Sequence, residues 1–126
     1  MMTDEVGSQL RRGVVESCIL GLLSRRPMYG WELAQVLIDS GRIIGGIGTL
    51  YPVLTRLKKA GLVTSFDRLS DEGRSRRYYE LTASGRDALD AFRQQWEQFV
   101  PAVTRLITPP EPITPSVAIT PSEKGR

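Results

Sequence analysis

The 126-residue chain contains no histidine and a single cysteine. Without histidine, the metal sites and general-base arrangements built on imidazole are excluded. A lone cysteine forms no intrachain disulfide. Cys18 lies in the apolar run Ser17-Cys18-Ile19-Leu20-Gly21-Leu22-Leu23, where a small buried thiol is expected. Nothing resembles a glycine-rich phosphate loop, and no pair of carboxylates converges. No enzymatic constellation can be assembled, so neither a cofactor nor a metal is expected. Long hydrophobic runs are also missing, for none approaches the roughly 20 residues needed to span a bilayer. The opening Met1-Met2-Thr3-Asp4-Glu5 has no basic segment ahead of an apolar one. No signal peptide is therefore expected, and the chain is read as a cytoplasmic protein without a membrane partner.

A strong net charge is lacking as well: 17 basic residues stand against 14 acidic ones, a net of +3. The distribution says more than the sum. Arg42, Arg56, Lys58, Lys59, Arg68, Arg74, Arg76 and Arg77 face only Asp67, Asp71 and Glu72 in the middle of the chain. A local basic excess of this kind is the electrostatic footprint of a nucleic-acid surface.

Within that region, Gly48 to Leu62 reads as a compact amphipathic helix with a glycine stop. Leu50, Val53, Leu54 and Leu57 recur at helical spacing and form a buried stripe. Thr49, Tyr51, Thr55, Arg56 and Lys59 occupy the other side. That polar face suits a major-groove reader or a solvated surface helix equally well. The helix lacks a good cap at Gly46 or Ile47, so its start falls at Gly48 or as late as Tyr51.

The flanking pattern supplies context. Residues 1–8 are polar and read as a flexible start. From Leu10, the lines Leu10-Val14-Cys18-Leu22 and Val15-Ile19-Leu23 define a wide apolar stripe and one central helix. Arg11 and Arg12 at its beginning suit a solvated terminus or a phosphate contact. Pro27 ends the helix in a turn. A second helix follows from Trp31 to Ser40, with Leu33, Val36 and Leu37 inward and Glu32, Gln35 and Asp39 outward. Tyr29 and Trp31 are expected to pack as aromatic plugs. After Gly61 the period changes to two. Residues 62–68 and 74–81, separated by Ser70-Asp71-Glu72-Gly73, form a hairpin whose returning arm is basic. Alternation places Arg74, Arg76 and Tyr78 on one face and Arg77, Tyr79 and Leu81 on the other.

Thr82 caps a last helix with Leu89, Phe92, Trp96, Phe99, Val103 and Leu106 at alternating spacings of three and four. This is the seam of a coiled coil, and it suits pairing with a second copy. Pro101 removes one hydrogen bond and is expected to kink the helix or end it early. From Thr108 onward Pro109, Pro110, Pro112, Pro115 and Pro121 mark a disordered tail with polyproline character. The expected fold is therefore mainly α with a small β-hairpin. A winged helix-turn-helix occupies residues 9–81, a dimerisation helix 82–107 and a proline-rich tail 108–126.

Several motifs together resemble one known family. Gly48-Thr49-Leu50-Tyr51-Pro52, Leu54, Leu57, Gly61-Leu62, Gly73-Arg74, Tyr78-Tyr79 and Leu81-Thr82 are similar to the PadR-type transcriptional regulators. Met28-Tyr29-Gly30-Trp31-Glu32-Leu33 resembles the start of that family's second helix. The likeness runs from about Leu10 to Leu106, and the single last helix resembles the family's compact branch. It implies a homodimeric repressor, joined through the last helix with help from the first. It also implies a palindromic operator and release by a small molecule or a stress signal.

On this reading the partner is double-stranded promoter DNA. Arg56, Lys59, Arg74 and Arg76 would meet phosphates and set the register. Thr49, Tyr51, Pro52 and Thr55 would approach base edges or adjacent phosphates. The tip Gly73-Arg74 would reach a minor groove. Tyr51 packing beneath its helix, Arg77 bracing the hairpin and a solvated Lys58 are the plainer alternatives. The resemblance further implies that Phe92 and Trp96, with Val14 or Val15, line a pocket for a small hydrophobic or aromatic effector. Trp96 as a packing residue only stays open beside it. From another class, the chain could be a winged-helix protein-interaction module without specific DNA binding, which would need no basic bias.

Overall fold

The computed structural model describes residues 2–109. Its elements follow in the order α1 (Met2–Arg12), α2 (Val15–Leu23), β1 (Met28–Tyr29), α3 (Gly30–Asp39), α4 (Ile47–Lys59), β2 (Val63–Leu69), β3 (Ser75–Leu81) and α5 (Ala83–Ile107). The chain divides after Arg93 into two units. The hydrophobic core belongs to the first. Ile19, Leu33, Leu37, Ile44, Leu50, Leu54 and Leu57 are its most enclosed side chains.

The beginning differs from the sequence-based expectation. Residues read as a flexible start are helical in α1, and the single helix expected from Leu10 is two helices. The break falls at Gly13-Val14, where Val14 N–H donates to the Arg11 carbonyl at 3.0 Å. A glycine inside a helix costs about 1 kcal/mol relative to alanine, which favours a break there. Leu10 is consequently not a core residue. It is 69% exposed and shares one line of α1 with exposed Val6. Cys18 is half-buried against the core, and burial pushes its thiol up.

The turn expected at Arg25–Gly30 contains a short strand. β1 pairs antiparallel with β3 (Met28↔Tyr79, Tyr29↔Tyr78), so the sheet order is β1-β3-β2 and the basic arm is central. Met28 faces the core, whereas Tyr29 packs on Tyr78 with ring centroids 5.5 Å apart. Trp31 is not a plug; it is 56% exposed. Glu32 does not simply face water. It accepts from Tyr29 N–H at 3.2 Å, capping α3, and pairs with Arg26 at 3.0 Å.

Gly41 and Arg42 both have positive φ, 79° and 55°, and turn the chain out of α3. Arg42 N–H donates to Ile38 and Ile43 N–H to Leu37, which satisfies the orphan carbonyls of the helix end. The turn delivers Ile44 into the core. α5 begins as expected: Thr82 Oγ1 accepts from Gly85 N–H at 3.0 Å and itself donates to the Gly61 carbonyl at 2.7 Å. Gly85 sits so close to the Leu62 carbonyl that a side chain there would strike backbone. Leu89 is buried beside it in the first unit. Pro101 does not end α5, which continues to Ile107. In the second unit Trp96, Phe99 and Leu106 are 45%, 64% and 68% exposed. Of the proline-rich tail, only Thr108 and Pro109 fall within the described residues.

Candidate nucleic-acid interface

α4 has the division of faces that its sequence requires. Leu50, Val53, Leu54 and Leu57 are all buried. Thr49, Tyr51, Pro52, Thr55, Arg56, Lys58 and Lys59 are all exposed. The helix starts at Ile47, earlier than either expected start, with extended Gly46 as its cap residue and no side-chain cap. Thr49 is therefore inside the first turn, its N–H donating to the Gly46 carbonyl at 3.1 Å. At the other end Gly61 adopts φ 78°, and Leu62 N–H reaches back to the Leu57 carbonyl at 3.0 Å. This closes the helix and turns the chain into β2.

The exposed side chains differ in what they have left to offer. Thr55 spends its hydroxyl hydrogen on the Tyr51 carbonyl at 2.9 Å, which leaves a methyl group and a lone pair outward. Pro52 has no N–H for the Gly48 carbonyl, so that acceptor stays outside the helical ladder. Tyr51 is 45% exposed, but its hydroxyl end rests on Gly30. A methyl group on Gly30 would lie 2.5 Å from Tyr51 Oη, so a larger residue there would displace the Tyr51 ring. Tyr51 thus packs in part beneath the helix. Burial first, and then the neighbouring Tyr51, push the Tyr79 phenol up.

The cations separate in the same way. Arg56, expected as a phosphate contact, has its Nε 3.1 Å from Glu16 Oε2 on α2. Lys58 is not merely solvated: its Nζ donates to Ser65 Oγ at 2.9 Å and ties α4 to β2. Arg77 pairs with Asp67 directly across the hairpin at 3.2 Å. Lys59 has no ion-pair partner among the described residues.

The hairpin turn runs from Ser70 to Arg74. Ser70 N–H donates to the Arg74 carbonyl at 2.7 Å, Arg74 N–H donates to Ser70 Oγ at 3.2 Å, and Gly73 takes φ 83°. The backbone at the tip is held, whereas the exposed Arg74 side chain has no ion-pair partner among the described residues. Arg76 behaves otherwise. Its guanidinium lies 4.4 Å from the Tyr29 ring centroid, on the face it shares with Tyr78 as the alternation required. Phe66 stacks on Tyr78 at 5.6 Å, and Arg68 covers both rings at 5.4 and 4.9 Å. This aromatic and arginine ladder stiffens the sheet's outer face. Its Tyr29 contacts depend on β1, which sequence reading missed. The signal was Met28-Tyr29, two residues suited to a strand directly after a proline.

The remaining candidates can be placed individually. Val14 is half-buried and Val15 buried in the first unit; Phe92 is half-buried there as well. Trp96, Phe99, Val103 and Leu106 belong to the second. Among the described residues, no helix is long and apolar enough to cross a membrane.

Comparison with known proteins agrees with this architecture. Residues 19–91 match the transcriptional regulator PadR-like family. A transcriptional regulator of Mycobacterium tuberculosis is 38% identical over 90 residues, which cover 71% of this chain and 82% of that protein. A PadR-like transcriptional regulator from Bacillus cereus superposes with a TM-score of 0.75 at 33% identity, covering 81% of this chain and 99% of the other. A PadR family regulator from Eggerthella lenta gives 0.74 at 31% identity, covering 86% and 95%. With its winged-helix order and its long last helix, the chain belongs to the PadR-like family of transcriptional regulators, and its role is regulatory rather than enzymatic.

Proposed function

We propose that the chain is a cytoplasmic repressor that binds a palindromic operator in promoter DNA as a homodimer. The observation that carries this reading is the exposed face of α4, firmly backed by four buried aliphatic residues and followed by a hairpin with a cationic tip. α4 enters the major groove, with Thr49, Pro52 and Thr55 near base edges and the exposed part of Tyr51 beside them. Lys59 and Arg74 supply phosphate contacts, and Arg74 at Gly73 reaches the adjacent minor groove. Arg56 and Arg76 take a smaller share, because Glu16 and the Tyr29 ring already engage them. Residues 9–81 act as the DNA-binding domain and residues 82–107 as the dimerisation helix.

The dimer seam uses Leu89, Phe92, Trp96, Phe99, Val103 and Leu106. Support comes from the exposure of Trp96, Phe99 and Leu106, since apolar side chains of this size at heptad spacing gain by mutual burial. A flat hydrophobic effector against Trp96 and Phe92, with Val14 or Val15, would release the operator.

Footprinting of the full chain on DNA upstream of its own gene tests the reading. A symmetric protected site whose affinity falls steeply with salt is expected. Equal affinity for every fragment would overturn it in favour of a protein-interaction role. Tryptophan fluorescence titrated with planar aromatic compounds, with Trp96→Ala as the comparison, tests the effector site.

A further inference from the structure

A cavity of about 650 Å³ opens between α1, the segment leading into α4, and α4 itself, entirely within the first unit. This volume is ordinary for a site that encloses a small organic molecule, where about 300–1,000 Å³ is typical. Its lining divides by chemistry. Val15, Ile44 and Val53 contribute apolar lining, and Arg11, Arg12 and Arg56 line it as well. Among the described residues, no acidic one lines the cavity. Glu16 engages Arg56 from one side, while Arg11 and Arg12 have no ion-pair partner among the described residues.

Neither half of this lining follows from contact with DNA or from packing alone. A phosphate contact needs a cation on an outer surface and has no use for an aliphatic lining beside it. A packing seam would close over its apolar residues and would not gather cations. α1 separates the two roles by face. Arg11 and Arg12 line the cavity, while Val6 and Leu10 lie on the opposite side and are 54% and 69% exposed. A protein covering the apolar side of α1 would leave the cavity open.

We propose that this cavity binds amphipathic organic anions, with an apolar body on Val15, Ile44 and Val53 and a carboxylate or sulfonate held by Arg11 and Arg12. Guanidinium pairs suit such heads because their planar forks give charge-assisted, bidentate hydrogen bonds. Thr49, Pro52 and Arg56 line the cavity as well as the outer part of α4. An anion bound there therefore opposes the approach of phosphate, a consequence that rests on the DNA-binding reading; the site itself does not.

Decanoate and decanol, titrated calorimetrically against the full chain, supply the test. Saturable decanoate binding is expected, with decanol weaker by about tenfold or more, since a charged hydrogen-bonded head is worth that much. Arg11→Gln combined with Arg12→Gln should cost a similar factor. Gly45 also lines the cavity, and nothing stands within 4 Å of the position its Cβ would take. Gly45→Phe should therefore add bulk to the lining without a clash at its Cβ and weaken decanoate binding. Absence of decanoate binding overturns the proposal, as does equal binding of decanol or undiminished binding by both variants. Decanoate should also weaken binding to the upstream DNA fragment in the native chain, and less so in Gly45→Phe. If decanoate follows this pattern but no fragment is bound, the DNA-binding reading fails and the site stands. If DNA is bound and decanoate is not, the site alone fails.

Discussion

α4 and the part of α5 beyond Arg93 carry the same kind of sequence pattern and meet different fates. In α4, Leu50, Val53, Leu54 and Leu57 are between 0% and 5% exposed. In α5, Trp96, Phe99 and Leu106 at equally regular spacing are 45–68% exposed. Periodicity states that a face requires burial; it does not state what buries it. The first helix finds its partner inside the chain, whereas for the second the dimer proposed above would supply the burial. The same contrast holds for charge. Arg56, Arg76 and Arg77 are engaged within the chain, and Lys59 and Arg74 have no such ion-pair partner among the described residues.

The largest effect should come from the helix that is satisfied internally. Leu54→Ala removes a side chain that is 1% exposed at the centre of the core. A loss of about 2–5 kcal/mol is expected, because the packed surroundings relax only partly into the cavity. Urea denaturation at two protein concentrations measures it. A loss well under 1 kcal/mol would mean that α4 is not anchored as described, and the contrast with α5 would collapse.

Phe99→Glu probes the other side. Phe99 is 64% exposed within the chain, so the isolated protomer should keep its helical circular dichroism. Association should weaken by about hundredfold or more, since one substitution acts twice across a two-fold seam and each large apolar side chain contributes about 1.5–3 kcal/mol when buried. Sedimentation equilibrium reads this directly. An unchanged association constant would remove this stripe from the dimer.

These two helices also mark what was legible in the sequence. Strong local periodicity revealed α4, its stripe and the hairpin, and the glycine at 61 gave away the end of α4. Arg77 bracing the hairpin was expected without a partner, and the register supplies Asp67 directly across from it. Other features left no local trace. β1 is two residues long, too short for alternation to show, and its pairing is set by β3 some fifty residues later. A lone Gly13 does not disturb the apolar lines on either side of it, so the break between α1 and α2 was hidden. Trp31 was misjudged because a large apolar side chain was equated with burial. Arg56 pairs with a glutamate 40 positions away, and the cavity is assembled from three separate segments. Contacts of that range belong to the tertiary structure.

Arg74 and Arg76 sharpen the charge contrast, being two residues apart on one strand and its turn. Arg74→Ala should leave stability within about 0.5 kcal/mol of native, as exposed substitutions do. It should lower affinity for every DNA fragment and reduce the salt slope by about one for each protomer. Arg76→Ala should do the reverse. Losing its place over Tyr29 should cost about 0.5–1 kcal/mol of stability, with a smaller change in the salt slope. Equal salt slopes in the two variants would show that a ring contact does not withhold Arg76 from phosphate.

The smallest effect concerns a residue contested by both kinds of partner. Glu16 holds Arg56 at 3.1 Å in an ion pair whose two side chains are 46% and 58% exposed. Solvent screens such a pair, so Glu16→Gln should lower stability by under about 1 kcal/mol. Its effect on DNA should have the opposite sign. A carboxylate beside the helix proposed to enter the groove repels phosphate, and removing it leaves the charge of Arg56 without a counter-charge at Glu16. Affinity should therefore rise a fewfold at low salt, and the gain should shrink as salt increases, because charges separated by about a Debye length or more no longer interact. A double-mutant cycle with Arg56→Gln isolates the coupling. If Glu16→Gln raises affinity even when Arg56 is absent, the carboxylate acts on the DNA directly. If the gain disappears with Arg56, the internal partner was competing with the external one for the same guanidinium.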